Sequence, residues 1–364
     1  MGLVYEEIDP WQPWKNHERV VLLRDADTGV EVVIALHSTA LGPALGGTRM
    51  NAFAQAPSPR AAAYADVLRL SHAMTLKNAL AGLPHGGGKA VIVCDPKNAT
   101  REILHAYGRF VSQLDGDYVT AGDVGVSVHD MDVIGEVCPW TTGRSTERGG
   151  VGDSGILTAV SVWQGMRAAA EFTWGSPDLA GRRVLVLGAG KVGGRLIGHL
   201  LSEGADVTFV DPITRDAILA TYPEVRALTN LDEALREEWD IISPNALGGL
   251  ITRSFASSVG AKILCGGANN QVGEAGADEV LSQRGITYTP DFMVNCGGVI
   301  QVAEEFRATA AGTAPDLDRA RAHTMRVFET TRNVLEGARS AGIPPLAAAQ
   351  AQAQALVAAA EAAR

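Results

Sequence analysis

Apolar positions along the chain change their period several times. Residues 18–25 (ERVVLLRD) and 30–37 (VEVVIALH) are short apolar runs around Ala26-Asp27-Thr28-Gly29, which reads as two strands and a turn. From Pro59 to Leu80 the apolar residues Ala63, Val67, Leu70 and Met74 recur at helical spacing. A glycine run, HGGGK, then leads into an apolar strand, AVIVC, that stops at Asp95-Pro96. Helices over about 102–114 and 130–137, with a strand over 117–121 between them, complete a mixed α/β portion.

Residues 141–155 are rich in Gly, Ser, Thr and Arg and read as a connection. A helix is expected over about 156–171. Strands and helices then alternate: VLVLG, GGRLIGHLLSEG, DVTFVD, an acidic helix near 231–238, DIISP, KILCGG and ITYTP. Such alternation predicts a parallel, doubly wound sheet. After Phe292 the pattern is helical to the end, with a long segment near 316–340 and an Ala/Gln-rich final helix. The expected architecture is α/β with two domains: residues 1–150 joined by the C-terminal helix 331–364, and a Rossmann domain over 151–330.

Composition narrows the possible partners. Lys plus Arg is 31 against 41 for Asp plus Glu, a net charge of −10. An acidic chain without a basic run does not suit a phosphate backbone, so no nucleic-acid partner is expected. The opening MGLVYEEIDP lacks the basic and apolar regions of a signal peptide. The tail from Leu346 is interrupted by Gln350, Gln352 and Gln354, so no membrane span is expected. Cys94, Cys138, Cys265 and Cys296 form no C-x-x-C pair and the histidines show no ligand spacing, so no metal is expected. A cytoplasmic protein follows. Glycine is 41 of 364 residues, about 11% against a usual 7% or so, without a Gly-X-Y period. The excess predicts tight turns or close backbone approaches.

The clearest chemical signal is Gly188-Ala189-Gly190-Lys191-Val192-Gly193, a G-x-G-x-x-G between an apolar strand and a helix. A second strand ends in Asp211, eighteen residues past Gly193. This context predicts a dinucleotide site. Gly188 permits the tight turn, Gly190 lets the backbone approach a pyrophosphate at the helix N-terminus, and Gly193 lets helix and strand pack. Asp211 suits ribose hydroxyls and repels a 2′-phosphate, so NAD is expected over NADP; Arg215 nearby opposes that preference.

Two lysines lie in apolar surroundings, Lys77 in TLKNALAGL and Lys89 in GGGKAVIV. Isolated lysines are ordinarily solvated. A lysine near a second cation and away from water instead loses its proton readily and can act as a base. GGGK is not a P-loop, because Ala90 stands where Ser or Thr would bind magnesium. Asp123, in YVTAGDVG after a strand, reads equally as a turn residue or a proton shuttle. Gly152-Asp153-Ser154-Gly155 has the form of a serine-hydrolase motif, but Asp-Ser before Ile156 reads better as a helix N-cap.

Taken together, LGPALGGTRM, MTLKNALAGLPHGGGKAVI, YVTAGDVG, GAGKVGG, ALGG at 246–249, GGANNQ and PDFMVNCGGVIQVAEE resemble the glutamate/leucine/phenylalanine/valine dehydrogenase family over nearly the whole chain. The resemblance is strongest to its actinobacterial valine and leucine dehydrogenases. It implies NAD-dependent oxidative deamination of an L-amino acid to a 2-keto acid and ammonia by a homo-oligomer. In that family's pattern Lys89 is the catalytic lysine, and Lys77, helped by Gly46 and Gly47, holds the α-carboxylate. Asp123 moves protons at the amino group and Asn269 holds the amine. Thr158, Asn245 and Ala246 lie toward the nicotinamide. The first domain would bind substrate and mediate assembly, with the substrate lying in the cleft between the domains.

By the same resemblance, Leu45, Ala121, Val294 and Val299 wall the substrate side chain. All four are apolar, which disfavours glutamate. Leu45 and Val299 favour a branched aliphatic side chain over phenylalanine or another aromatic. Asn245 stands where relatives usually have Cys, Gly267 and Cys296 where they have Ala, and Gly122 where they have a larger residue. Fifteen of the 41 glycines fall in the matching blocks, at 46–47, 86–88, 188/190/193/194, 248–249, 266–267 and 297–298. Bulk added at Gly47, Gly88 or Gly190 is therefore expected to impair binding before stability.

Overall fold

A computed structural model describes residues 3–7, 16–246 and 248–364, with side chains from residue 16 onward. Much of the opening MGLVYEEIDP, and Leu247 of the ALGG block, lie outside the described residues. The chain divides into two compact units. The first holds Met1–Ser154, Val299–Asp318 and Ala353–Arg364, and the second Gly155–Gly298 and Arg319–Gln352.

The first unit is built on a six-stranded mixed sheet. Its strands are β1 Leu3–Glu7, β2 Arg19–Asp25, β3 Glu31–Ser38, β4 Ala44–Met50, β5 Gly86–Val93 and β6 Tyr118–Gly122, in the order β1-β2-β3-β5-β4-β6. β1, β2, β3 and β5 pair antiparallel, whereas β4 runs parallel to both β5 and β6. The β2–β3 hairpin forms where the pattern places it. Asp25 Oδ2 accepts from Thr28 N at 3.0 Å, and Gly29 takes φ +69° to close the turn.

Strands β2 and β3 are apolar without a break because both sheet faces are covered. Val21, Leu23, Val32 and Ile34 pack with Leu104, Tyr107 and Phe110 of the helix Arg101–Ser112 and with Ile134 of the helix Val128–Gly135. Val20, Leu22, Val33 and Ala35 face Ala63, Val67 and Leu68 of the helix Pro59–Leu80. The sequence pattern missed β1 and β4.

The second unit carries six parallel strands: β7 Arg183–Leu187, β8 Asp206–Val210, β9 Arg226–Leu228, β10 Trp239–Pro244, β11 Ala261–Leu264 and β12 Thr287–Tyr288. Their order is β12-β11-β10-β7-β8-β9, the doubly wound arrangement whose direction reverses between β7 and β10. Strand β9 is only three residues long and carries no readable period.

The tail is divided differently from the sequence expectation. Helix Val327–Ala341 buries Val327, Thr331, Val334, Leu335 and Ala338 and packs on the helix Gly155–Trp174, with Arg339 over the Phe172 ring at 4.8 Å. Leu346 joins the core of the second unit. Only Ala353–Arg364 therefore belongs to the first unit. Residues 299–318 join the first unit rather than the Rossmann unit, because Glu305 accepts from Gly143 N at 2.8 Å and Val151 N at 3.1 Å. The expected long helix over 316–340 is two helices, Leu317–Met325 and Val327–Ala341. Among the described residues, no helix is long and apolar enough to cross a membrane.

Candidate active site

In the second unit the fingerprint follows β7 and opens the helix Gly193–Ser202 beside the β7/β10 switch point. Each glycine has its own reason. Gly188 takes φ +91°, and a Cβ there would lie 2.7 Å from Ala246 Cβ. A Cβ on Gly193 would lie 1.9 Å from Gly188 O. At Gly190 a Cβ would meet nothing within 4 Å, so this backbone is open on the side a ligand would take.

Asp211, just after β8, holds the loop. Its Oδ2 accepts from Ala189 N at 2.8 Å and its Oδ1 from Ile213 N at 2.8 Å and Thr214 N at 2.9 Å. Partial burial opposes ionisation, but the N–H groups of Thr214, Ala189 and Ile213 outweigh it and lower the carboxyl's pKa. Arg215 is turned to Leu228 O, its Nη1 donating at 3.1 Å. Lys191 is exposed, and its carbonyl accepts from Arg195 Nη1 at 2.6 Å. An open Gly190 backbone, a helix N-terminus and an ionised Asp211 fit a dinucleotide.

In the first unit, Lys89 on β5 and Asp123 beyond β6 meet across β4. Lys89 Nζ lies 2.6 Å from Asp123 Oδ2, and the lysine side chain is 6% exposed. Gly47 makes room for the pair. A Cβ there would lie 2.9 Å from Asp123 Cβ and 3.2 Å from Lys89 Nζ. The group that Lys89 meets directly is thus a carboxylate. Burial disfavours the Asp123 charge, but Lys89 and then Arg49 outweigh it and hold the carboxyl well below the ordinary carboxylate range. Arg49, which sequence reasoning missed, places Nη2 3.3 Å from Asp123 Oδ2. Its signal was its being the only charged residue of the LGPALGGTRM block, in a strand too glycine-rich to show a period.

The triple glycine is not a ligand cradle. A Cβ on Gly86 would lie 1.9 Å from Ser38 O, one on Gly87 2.1 Å from Thr75 N, and one on Gly88 2.8 Å from the Tyr118 ring. What approaches so closely is the helix Pro59–Leu80 and the neighbouring strands. Bulk at Gly88 therefore strikes the fold first, which reverses the sequence expectation. Gly46 is packed in the same way, its Cβ position lying 1.8 Å from Gly88 O. Asn78 fastens the end of that helix, its Nδ2 donating to Leu45 O at 3.1 Å and Gly86 O at 2.6 Å. Lys77, one residue earlier, is half-buried in the helix's last turn.

A cluster of amides occupies the second unit. Asn295 Nδ2 donates to Asn269 Oδ1 at 2.9 Å and to Gly267 O at 3.2 Å. Asn245 Oδ1 accepts from Gly267 N at 2.8 Å, and its Nδ2 donates to Ser243 O at 2.9 Å. Asn295, within the PDFMVNCGG block, fixes the carboxamide of Asn269, a role the sequence pattern does not show. Val192 lies beside Gly267, where a Cβ would come 2.9 Å from Val192 Cγ1. Thr158 is half-buried in the helix Gly155–Trp174, its carbonyl accepting from Ser161 Oγ at 2.9 Å. Ser154 immediately precedes that helix.

Of the expected pocket wall, Leu45 and Ala121 are buried on β4 and β6. Val294 is buried against Gly165 of the second unit, and Val299 is half-buried in the first.

A glycine fingerprint on a parallel doubly wound sheet, and a buried lysine–carboxylate pair in a separate α/β unit, define the class as a nucleotide-dependent dehydrogenase. The family model "Glu/Leu/Phe/Val dehydrogenase, dimerisation domain" matches residues 17–138, and "Glutamate/Leucine/Phenylalanine/Valine dehydrogenase" matches residues 213–364. The chain is 50% identical over 338 residues to a valine dehydrogenase of Streptomyces virginiae, covering 92% of each chain. It is 38% identical to the leucine dehydrogenase of Bacillus subtilis, covering 92% of this chain and 89% of that one. Among solved structures, L-tryptophan dehydrogenase from Nostoc punctiforme superposes with a TM-score of 0.79 at 32% identity, covering 96% of this chain and 97% of that one. The chain belongs to the glutamate/leucine/phenylalanine/valine dehydrogenase family. It is thus an oxidoreductase that works with a pyridine nucleotide.

Proposed function

We propose that this enzyme oxidises a branched-chain aliphatic L-amino acid (valine, leucine or isoleucine) with NAD, giving the 2-keto acid and ammonia, reversibly. The observation that carries this reading is the Lys89–Asp123 pair, 2.6 Å apart, in a chain 50% identical to a valine dehydrogenase. Lys77 holds the substrate α-carboxylate, helped by the backbone at Gly46 and Gly47. Asp123 takes and returns the amino-group proton, while Asn269, fixed by Asn295, holds the amine. Lys89 deprotonates the water that attacks the imine carbon and stabilises the charge developing on its oxygen. Gly188, Gly190 and Gly193 hold the dinucleotide, which supplies the hydride acceptor. The apolar residues Leu45, Ala121, Val294 and Val299 favour an aliphatic side chain, and Thr158, Asn245 and Ala246 flank the nicotinamide.

The ionised Asp211, with Arg215 held on Leu228 O, supports NAD over NADP. The dimerisation-domain match supports a homo-oligomer, and four cysteines without a C-x-x-C pair suit a reducing cytoplasm. The test is NADH formation across Val, Leu, Ile, Phe, Trp and Glu, with Lys89→Ala as control. Valine, leucine and isoleucine should lead, and Lys89→Ala should lose about 100-fold or more of kcat. A preference for Phe or Trp would move the protein to the aromatic branch, and normal turnover by Lys89→Ala would remove the lysine assignment.

A further inference from the structure

Behind the Lys89–Asp123 pair stands a row of alternating charges. Arg49 Nη1 lies 2.8 Å from Asp66 Oδ2 and its Nη2 3.3 Å from Asp123 Oδ2. Asp66 Oδ1 is in turn met by Arg69 Nη2 at 2.8 Å. The side chains of Arg49 and Asp66 are only 17% and 12% exposed. Such a pair is costly to bury and is seldom worth keeping for stability alone. Arg49 Nε is buried without a hydrogen-bond partner, so the guanidinium is set by its two carboxylates rather than by its own best bonding.

Asp123 Oδ2 is shared by two cations of different kinds. Lys89 can release its proton; Arg49 cannot. We infer that Arg49, braced by Asp66, is a positioning residue that keeps the Asp123 carboxylate charged and in place whenever Lys89 is neutral. The inference rests on the reading of Lys89 and Asp123 given above. With Lys89 protonated the four groups Asp66, Arg49, Asp123 and Lys89 sum to zero charge. When Lys89 gives up its proton, Asp123 still has a permanent cation beside it and has no need to take that proton itself.

Asp66, Arg69 and Lys77 belong to the helix Pro59–Leu80. Tyr118 belongs to β6, and its hydroxyl donates to Gly46 O at 2.8 Å. Removing Arg49 takes a fixed positive charge from the pair and favours its protonated form. Removing the charge of Asp66 does the opposite.

The test is the pH dependence of kcat for valine oxidation in the full-length enzyme, with KM for valine and NAD measured alongside. Arg49→Gln should move the rising limb about one pH unit to the alkaline side, lower kcat about tenfold below it, and recover most of kcat above it. Arg49→Lys should keep the limb within a few tenths of a unit of the parent. Asp66→Asn should move it to the acid side. Opposite shifts from two neighbouring substitutions do not follow from a shared folding defect. If Arg49→Gln does not fold, Arg49→Lys and Asp66→Asn carry the test. Loss of kcat by an equal factor at every pH, or an alkaline shift in Asp66→Asn, would overturn the role of Arg49. If Lys89→Ala itself turned over normally, the failure would lie instead with the reading of the pair.

Discussion

In the first unit a Cβ added at Gly87 would sit 2.1 Å from the backbone nitrogen of Thr75, whereas in the second unit one added at Gly190 would meet nothing within 4 Å. Both glycines belong to conspicuous glycine runs, and both runs belong to blocks that the proposed function ties to the chemistry. The first run lets a helix and three strands close on one another, which fixes where Lys89 emerges. In the second, Gly188 and Gly193 are packed as tightly, and Gly190 alone is left uncovered. A glycine such as Gly87 thus serves side-chain placement, and one such as Gly190 serves backbone exposure.

The largest effect that tests this contrast is at Gly87. Gly87→Val cannot be absorbed by a rotamer change, because the atoms it meets include main chain. It should destabilise the protein by about 3 kcal/mol or prevent folding altogether. Urea unfolding monitored by circular dichroism measures it. Wild-type stability in Gly87→Val would break the packing account of the triple glycine.

The matching substitution in the second unit should behave in the reverse way. Gly190→Val should leave the unfolding free energy within about 0.5 kcal/mol, as for an unobstructed surface site. Its affinity for the nucleotide should fall by about tenfold or more, about 1.4 kcal/mol, in a calorimetric titration. If NAD binding survived while stability fell, Gly190 would belong with the packed glycines.

The two units were also unequally legible. The fingerprint and Asp211 could be placed because a strand, a turn and a helix each announce themselves within 28 residues, 184–211. The hairpin β2–β3 and the helix Pro59–Leu80 were legible for the same reason: their periods are local. Strand β4 was not, because ALGGTRM has too few apolar side chains to alternate, and it lies between β5 and β6 only through long-range pairing. Arg49 was lost with it. The triple glycine was seen but misassigned, since composition shows that something approaches the backbone closely and cannot show what. Asp123 could be singled out but not joined to Lys89, 34 residues away, without the sheet order.

Acid should separate the units further. In the first unit His37 is pushed down to about 3 by burial and by the neighbouring His72 and His17. Its ring lies 4.7 Å from that of His72 and 4.9 Å from that of His17. An unfolded histidine titrates near 6.5, so between about pH 6.5 and 3 the unfolded chain binds the proton that the folded chain refuses. Stability should therefore fall as pH falls through that window and be flat above it. For a ring that keeps some exposure, the loss from pH 7 to 5 is about 1 kcal/mol. His37→Gln should show a shallower slope in urea titrations at the two pH values. An unchanged slope would place the acid sensitivity elsewhere.

The smallest effect concerns two of the departures in the second unit, Asn245 and Gly267, which the structure joins into one. Asn245 Oδ1 accepts from Gly267 N at 2.8 Å, and a Cβ on Gly267 would lie 3.0 Å from that same oxygen and 2.9 Å from Val192 Cγ1. The larger side chain at 245 thus occupies room that a methyl group at 267 would need. Both obstructing atoms are ends of side chains, so Gly267→Ala should cost only about 1 kcal/mol. In an Asn245→Cys background, where the amide oxygen is gone, the same substitution should cost less. The coupling between them should be about 0.5–1 kcal/mol in a double-mutant cycle on urea stability. Because Val192 belongs to the fingerprint and Gly267 lies two residues before Asn269, the cycle should also register in KM for both nucleotide and amino acid. Additive effects on stability and on both KM values would mean that the two departures are independent, and that the second unit, like the first, keeps some of its glycines for reasons of local packing alone.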